Sequence, residues 1–233
     1  MPQVGIIGRP LTVIVKFTAL TDTPVSERWR DLLVAEHLAL EVLHDHGVSA
    51  ARTALLDHGT QRFLEVRRFD REGPLGRRAL FSIQALAAEF AGTAGPWPQV
   101  ARALAKAGVV EPQAVEQTEI LWAFGTLIAN GDMHGGNLSF MAEQGRPYQI
   151  APAYDMTCMS FAPGAGGELS IRALPLNINN EVSAPAWKRA LPMATDFLDR
   201  LRANPCLSDG FTECLQVLSD RIAMASERIA RLA

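Results

Sequence analysis

Asp132, His134 and Asn137 fall in the run Ile128-Ala-Asn-Gly-Asp-Met-His-Gly-Gly-Asn-Leu-Ser-Phe140, and Asp155 follows in Ala151-Pro-Ala-Tyr-Asp-Met156. Two carboxylates and an amide oxygen are the donors a hard cation such as Mg²⁺ prefers, because it takes oxygen ligands and keeps several waters. In such a set Asp132 accepts the proton of an attacking hydroxyl, while Asn137 and Asp155 hold the cation against phosphates. The same residue types also close turns and cap helices, so the loop alone reads first as an Asx-bonded turn, and Asp155 reads equally as an N-cap. His134 reads as a loop-shaping residue rather than a ligand or base. The remaining histidines, His37, His44, His46 and His58, lie early in the chain without a second-ligand spacing, which disfavours zinc.

The lysines carry separate information. Of 22 basic residues only Lys16, Lys106 and Lys188 are lysines, so the chain uses arginine where it merely needs charge. Lys16 nevertheless sits between Val15 and Phe17 in a β-branched run. A lysine on such a strand contacts nucleotide phosphates when a helix glutamate holds it, and Glu36 is the natural partner. The alternative is a strand-end lysine reaching water and a glutamate on a helix surface. Arg62, Arg67, Arg68, Arg71, Arg77 and Arg78 form either an anion-binding rim or, the favoured reading, a solvated hairpin face. Gly164-Ala-Gly-Gly167 reads as a loop before it reads as an anion nest.

These residues need elements to position them. Leu11–Phe17 reads as a buried strand, with partners at Thr53–Leu56 and Arg62–Val66 across the turn Asp57-His-Gly-Thr60. Between them a helix runs from Ser26, its expected N-cap, to Asp45, with Gly47 past its end. Arg67–Arg78 is charged and bears Gly and Pro, as a crossover does. Helices follow at Ser82–Phe90, Trp97–Lys106, Pro112–Asn130, Ala186–Leu201 and Phe211–Leu232. Short strands at Leu138–Met141 and Tyr148–Ile150 flank the turn Glu143–Arg146, and this hairpin returns Asp155 beside Asn137 and Asp132. The expected architecture is α+β in two lobes: residues 1–70 a small sheet-containing lobe, and 71–233 a larger helical lobe with the catalytic and metal loops.

Composition sets the outer bounds. The 233 residues are 48 % hydrophobic and 20 % charged, with a net charge of −3, which excludes a disordered tail, a coiled coil or a collagen-like fibre. A near-neutral chain does not bind polyanions through its whole surface, and no motif reads DNA directly. Cys158, Cys206 and Cys214 make no C-x-x-C pair and read as small buried or half-buried thiols of a reducing compartment. No apolar run reaches the ~18 residues that span a bilayer. With no signal peptide in view, a cytoplasmic location is expected.

Taken together, five stretches resemble the HipA-like serine/threonine kinase family. They are Ile14-Val-Lys-Phe17, Val34-Ala-Glu36 on a helix ending in His46-Gly47, Phe63-Leu-Glu-Val-Arg-Arg-Phe-Asp-Arg71, Asn130-Gly-Asp-Met-His-Gly-Gly-Asn137 and Pro152-Ala-Tyr-Asp155. The last two match the family patterns N-x-D-x-H-x-x-N and P-x-Y-D. The resemblance implies a protein-kinase-like fold that uses ATP and Mg²⁺. It casts Asp132 as the catalytic aspartate, Asn137 and Asp155 as the magnesium-holding pair, and Lys16, with Glu36, as the phosphate contact. Arg67, Arg68 and Phe69 match the hinge whose backbone reads adenine, and His134, Gly135, Gly136, Asn137, Tyr154 and Asp155 match the remaining nucleotide positions. Family members are toxins of toxin–antitoxin pairs; the best known phosphorylate aminoacyl-tRNA synthetases, and many bind a DNA-binding antitoxin. Such a protein substrate and antitoxin are therefore implied here, with no membrane and no direct nucleic-acid contact.

Two departures accompany the match. Gly131 stands where the family usually has Thr, a change expected to have little effect. Full-length members carry an N-terminal region with a Gly/Ser loop over the ATP phosphates, for which Val4-Gly-Ile-Ile-Gly-Arg9 is a poor substitute. The implied object is a naturally shortened homologue or a kinase core cut from a longer protein. Two other readings stay open: a non-catalytic remnant that binds an antitoxin or other partner, and a small-molecule kinase like the aminoglycoside phosphotransferases, which share a G-D-x-H-x-x-N loop. The first-lobe match and Pro-Ala-Tyr-Asp favour the HipA-like class.

Overall fold

A computed structural model describes residues 12–73, 75–171 and 175–232. Leu11 and the Val4–Arg9 run lie outside the described residues. The chain opens with β1 (Val13–Phe17), α1 (Pro24–Asp45), β2 (Thr53–His58) and β3 (Gln61–Arg67). The strands form an antiparallel sheet ordered β1-β3-β2, with Lys16 opposite Leu64 and Leu55 opposite Leu64 on the other side. Leu64 and Val66 turn inward and pack with Leu33 and Ala51 into a small core beneath the sheet.

Two local expectations are corrected here. β1 is an edge strand rather than a buried one: among the described residues it pairs only with β3, and Ile14, Val15 and Phe17 are 50 %, 43 % and 67 % exposed. The cap of α1 is Thr23, not Ser26. Thr23 Oγ1 accepts from Ser26 N at 3.2 Å while Thr23 N donates to Ser26 Oγ at 2.9 Å, a reciprocal box in which Ser26 is the third helical residue. Pro24 takes the first helical position, where its missing N–H costs nothing.

The crossover is more ordered than its composition suggests, since β4 (Arg71–Glu72) and β5 (Gly76–Arg77) pair within it. Most of the arginines from Arg62 to Arg78 are already paired. Arg62 donates to Asp57 at 2.7 and 2.8 Å, Arg68 to Asp70 at 2.8 and 2.5 Å, and Arg78 meets Glu143 at 3.1 Å. β6 (Leu80–Ser82) then leads into α2 (Ile83–Leu86), which opens into one π-helical turn at Ala87–Ala91 instead of continuing as a regular helix.

The larger lobe is built around α4 (Pro112–Leu127), which follows α3 (Trp97–Lys106). After it come the short strands β7 (Ser139–Met141) and β8 (Gln149–Ile150), in a sheet ordered β6-β7-β8, and the helices α5 (Ala184–Ala203) and α6 (Thr212–Ile229). α4 is apolar nearly all round because α3, α5 and α6 all pack against it. Phe124 meets Phe197 edge-on at 6.2 Å, and Trp97 meets Trp122 at 5.5 Å. Cys158 and Cys214 are buried here, whereas Cys206 is exposed.

The lobes are tied through α1. Arg28 is 6 % exposed, donates to Phe161 O at 3.1 Å and Gly210 O at 3.0 Å, and lies over the Phe211 ring. Asp31 accepts from Ser208 N at 2.9 Å and Ser208 Oγ at 2.6 Å. A helix anchored this way at its first turns cannot swing freely, which holds Glu36 in register with the opposite lobe.

Candidate active site

The polar loop begins where α4 stops. The helix ends at Leu127, three residues before the expected Asn130, because Ala129 adopts the left-handed region at φ 59°. Asn130 N still reaches back to Gly125 O at 2.8 Å, and the 2 %-exposed Asn130 side chain accepts from Asp132 N at 3.0 Å. From within the same lobe, buried Arg221 on α6 donates to Thr126 O at 3.0 and 2.7 Å and to Pro175 O at 3.3 Å. A cation at the C-terminal carbonyls of α4 fixes the root of the loop, although burial lowers the Arg221 guanidinium to about 10. Sequence reading missed Asn130 and Arg221 as positioning residues. The first was visible in the N-x-D pattern; the second has no local signal, being 95 residues from its partner.

Within the loop, each polar group has a defined partner. Asn137 Nδ2 donates to Asp132 O at 2.9 Å, which leaves its Oδ1 as the ligand-capable end. His134 is a loop-shaping residue: its Nδ1 accepts from Gly136 N at 3.0 Å and its carbonyl accepts from Trp97 Nε1 at 2.9 Å. Its Nε2 lies 3.8 Å from Asp132 Oδ1. Gly135 is required by close approach, since a Cβ there would sit 2.9 Å from Gln84 Cβ. The Asp132 carboxylate itself stays 52 % exposed, open to a reacting group.

The β7–β8 hairpin returns the chain as expected. Ala153 N donates to Ser49 O and Ala51 N to Ala153 O, both at 2.9 Å, so the returning strand is pinned to the small lobe. Tyr154 then places its hydroxyl between Ser139 Oγ at 2.6 Å and Gly136 O at 2.7 Å, with its ring 6.0 Å from that of Phe69. It thus joins the segment after β3 to the Asp132–Asn137 loop, and burial raises its phenol above the ordinary value. Asp155 follows at φ 52°, a conformation aspartate tolerates better than most side chains. The next helical turn is the 3-10 helix Met159–Phe161, whose N-cap position is Cys158, so Asp155 is not an N-cap.

Lys16 Nζ donates to both Glu36 oxygens, at 2.7 and 2.8 Å, and to Asp155 Oδ1. Burial pulls the ammonium pKa down, but Glu36 and Asp155 together outweigh it and hold Lys16 above the ordinary lysine value. Glu36 is 4 % exposed at its side chain, and burial pushes its carboxyl up against the pull of Lys16. Two cavities share these three groups. One of about 400 Å³ brings them together with Asp132 and Asn137 beneath Phe17 and Trp29. The other, about 240 Å³, is walled by Ile14, Val66, Leu80, Tyr154 and the Arg67–Phe69 segment. In that segment Arg67 N donates to Arg52 O at 2.8 Å and Arg68 N to Thr12 O at 3.0 Å. Among the described residues, Phe69 N–H has no backbone partner.

An apolar slot thus opens onto a lysine held by a buried glutamate, beside two carboxylates and an amide oxygen. Residues 6–216 match the family model described as HipA-like C-terminal domain. The chain belongs to that family. The HipA-like assignment is supported by Toxin YjjJ of Escherichia coli, 41 % identical over 221 residues that make up 94 % of this chain and 50 % of that protein. The chain therefore spans about half the length of the curated relative it matches. Among solved structures, the proinflammatory kinase CtkA of Helicobacter pylori superposes with TM-score 0.64 at 18 % identity, over 96 % of this chain and 90 % of that one. HipA of Shewanella oneidensis, solved with HipB and operator DNA, superposes with TM-score 0.56 at 19 % identity, over 95 % and 59 %. At such identities the likeness is one of fold, and the fold is α+β, kinase-like and two-lobed.

Proposed function

We propose that this chain is the catalytic core of a HipA-like serine/threonine kinase, moving the γ-phosphoryl group of ATP to a protein hydroxyl. The observation that carries the reading is Lys16, held by Glu36 and Asp155 in a cleft that also contains Asp132 and Asn137. Adenine fits the slot beside Phe69 and Tyr154, with Phe69 N–H as its backbone donor. Lys16 turns from Asp155 to the phosphates. Asn137 Oδ1 and Asp155 fit Mg²⁺, which takes few protein oxygens and completes its shell with phosphate and water, and when bound it neutralises phosphate charge. Asp132 orients the acceptor hydroxyl and takes its proton as the oxygen attacks the γ-phosphorus and the bond to the β–γ bridging oxygen breaks.

On this reading residues 1–70 are the small lobe and 71–233 the large lobe. The name of the relative Toxin YjjJ supports a toxin role, and HipA solved with HipB supports an antitoxin partner. An aminoacyl-tRNA synthetase as acceptor follows from the family alone. No described helix is long and apolar enough to cross a membrane, in keeping with a cytoplasmic kinase.

Isothermal titration of Mg²⁺-ATP into the purified chain, with Asp155→Ala beside it, tests the proposal. Binding that disappears in the variant supports it. Absence of binding to the wild type at millimolar nucleotide, or binding indifferent to Asp155, overturns it.

A further inference from the structure

Asp132 and His134 face two cavities, not one. Besides the cleft that holds Lys16, they line a cavity of about 460 Å³ that includes none of Lys16, Glu36, Asn137 or Asp155. Part of its wall is apolar, formed by Pro96, Trp122 and Pro175. Trp122 is set edge-on against Trp97, whose indole N–H is bonded to His134 O, so this wall is rigidly coupled to the catalytic loop. The rest is polar, and Glu181 is its second carboxylate. Glu181 is held by its backbone, whose carbonyl accepts from Arg102 Nη1 at 3.0 Å and whose N–H donates to Asn179 Oδ1 at 3.1 Å, while its carboxylate Oε2 accepts from Asn179 Nδ2 at 3.4 Å and Val182 beside it is 2 % exposed. The Arg102 guanidinium is itself engaged by Glu119 at 2.7 Å. Among the described residues the lining contains two carboxylates and no lysine or arginine.

If Asp132 takes the hydroxyl proton, Glu181 is the charge left for recognition. An aromatic and proline wall next to one fixed carboxylate matches a side chain with an apolar stem and a cationic head. We propose that this cavity receives the acceptor polypeptide and selects a lysine or arginine close to the phosphorylated hydroxyl, its stem along Trp122 and its head at Glu181. The proposal rests on the phosphoryl-transfer reading. A polycationic amino sugar fits less well, because its several ammonium groups would meet one spare carboxylate and an apolar wall.

The test is fluorescence anisotropy with the intact chain and labelled serine decapeptides bearing arginine, glutamate or norleucine at each flanking position. Arginine peptides should bind best. Glu181→Gln should weaken them about fivefold and Glu181→Lys should abolish binding, with melting temperatures unchanged. Trp122→Leu should weaken arginine and norleucine peptides alike. Equal affinity for all three peptide classes, no binding by any, indifference to Glu181, or displacement by an aminocyclitol that binds more tightly would each overturn the proposal. The Mg²⁺-ATP titration separates the two readings. Asp155-dependent nucleotide binding with no peptide preference sinks only this inference, whereas loss of nucleotide binding sinks the kinase reading itself.

Discussion

Lys16 and Asp155 stand 139 residues apart in the chain and are joined by an ion pair, with Glu36 holding the same ammonium from the other side. The strand, the long helix and the return from the β7–β8 hairpin therefore converge on one nitrogen. Removing Lys16 leaves a carboxylate on Glu36 that is almost wholly buried. Lys16→Met is expected to destabilise the fold by about 2 kcal/mol, below the range for a fully buried pair because the lysine is a third exposed. Adding Glu36→Leu should restore most of that stability in urea unfolding without restoring nucleotide binding. A double variant no more stable than the single one would show that the charge pair is not the cause.

The same pair predicts a pH dependence. The folded-state pKa of Lys16 is raised above 10.5, so the pair contributes fully below that value and its contribution is lost as pH rises through the folded value. The stability difference between wild type and Lys16→Met should stay flat from neutral pH to 10.5 and shrink above it. Denaturant titrations of both proteins across that range measure it, and a difference that grows in alkali would contradict the assignment.

Asp132 differs from Lys16 in having little structural work. Its carboxylate is half exposed, and the His134 ring nitrogen Nε2 lies 3.8 Å away. Asp132→Asn should leave the melting temperature unchanged while lowering phosphoryl transfer about a thousandfold. Radiolabel transfer from ATP, set beside the melting curve, reads both. Undiminished transfer would remove Asp132 from the chemistry.

Gly131 and Ser160 form a further pair. Ser160 Oγ is buried with no hydrogen-bond partner among the described residues, and a Cβ built on Gly131 would lie 3.5 Å from it. Gly131→Ser brings a hydroxyl to that orphan and removes glycine's freedom in the unfolded chain. The melting temperature should rise by about 2–4 °C, corresponding to roughly 1 kcal/mol. A fall would mean that the loop needs the glycine itself.

Much of the site was legible because its chemistry is local. Asp132, His134 and Asn137 lie in one loop, and the hairpin that returns Asp155 is announced by two short strands and a turn. The lysine stood out by rarity, and the helices by their apolar period and their Pro and Gly boundaries. What the linear text does not carry is contact between distant segments. The exposure of β1 depends on which strands flank it, the cap of α1 on a hydroxyl exchange at Thr23, and the end of α4 on the conformation of Ala129. Arg221 behind the loop and Trp122 beside it lie on helices whose patterns say only that they are buried. Residue type and spacing determined which groups could do chemistry. Only the packing of α1, α4, α5 and α6 decided which met, because a buried charge or hydroxyl takes whatever partner the tertiary fold brings within about 3 Å.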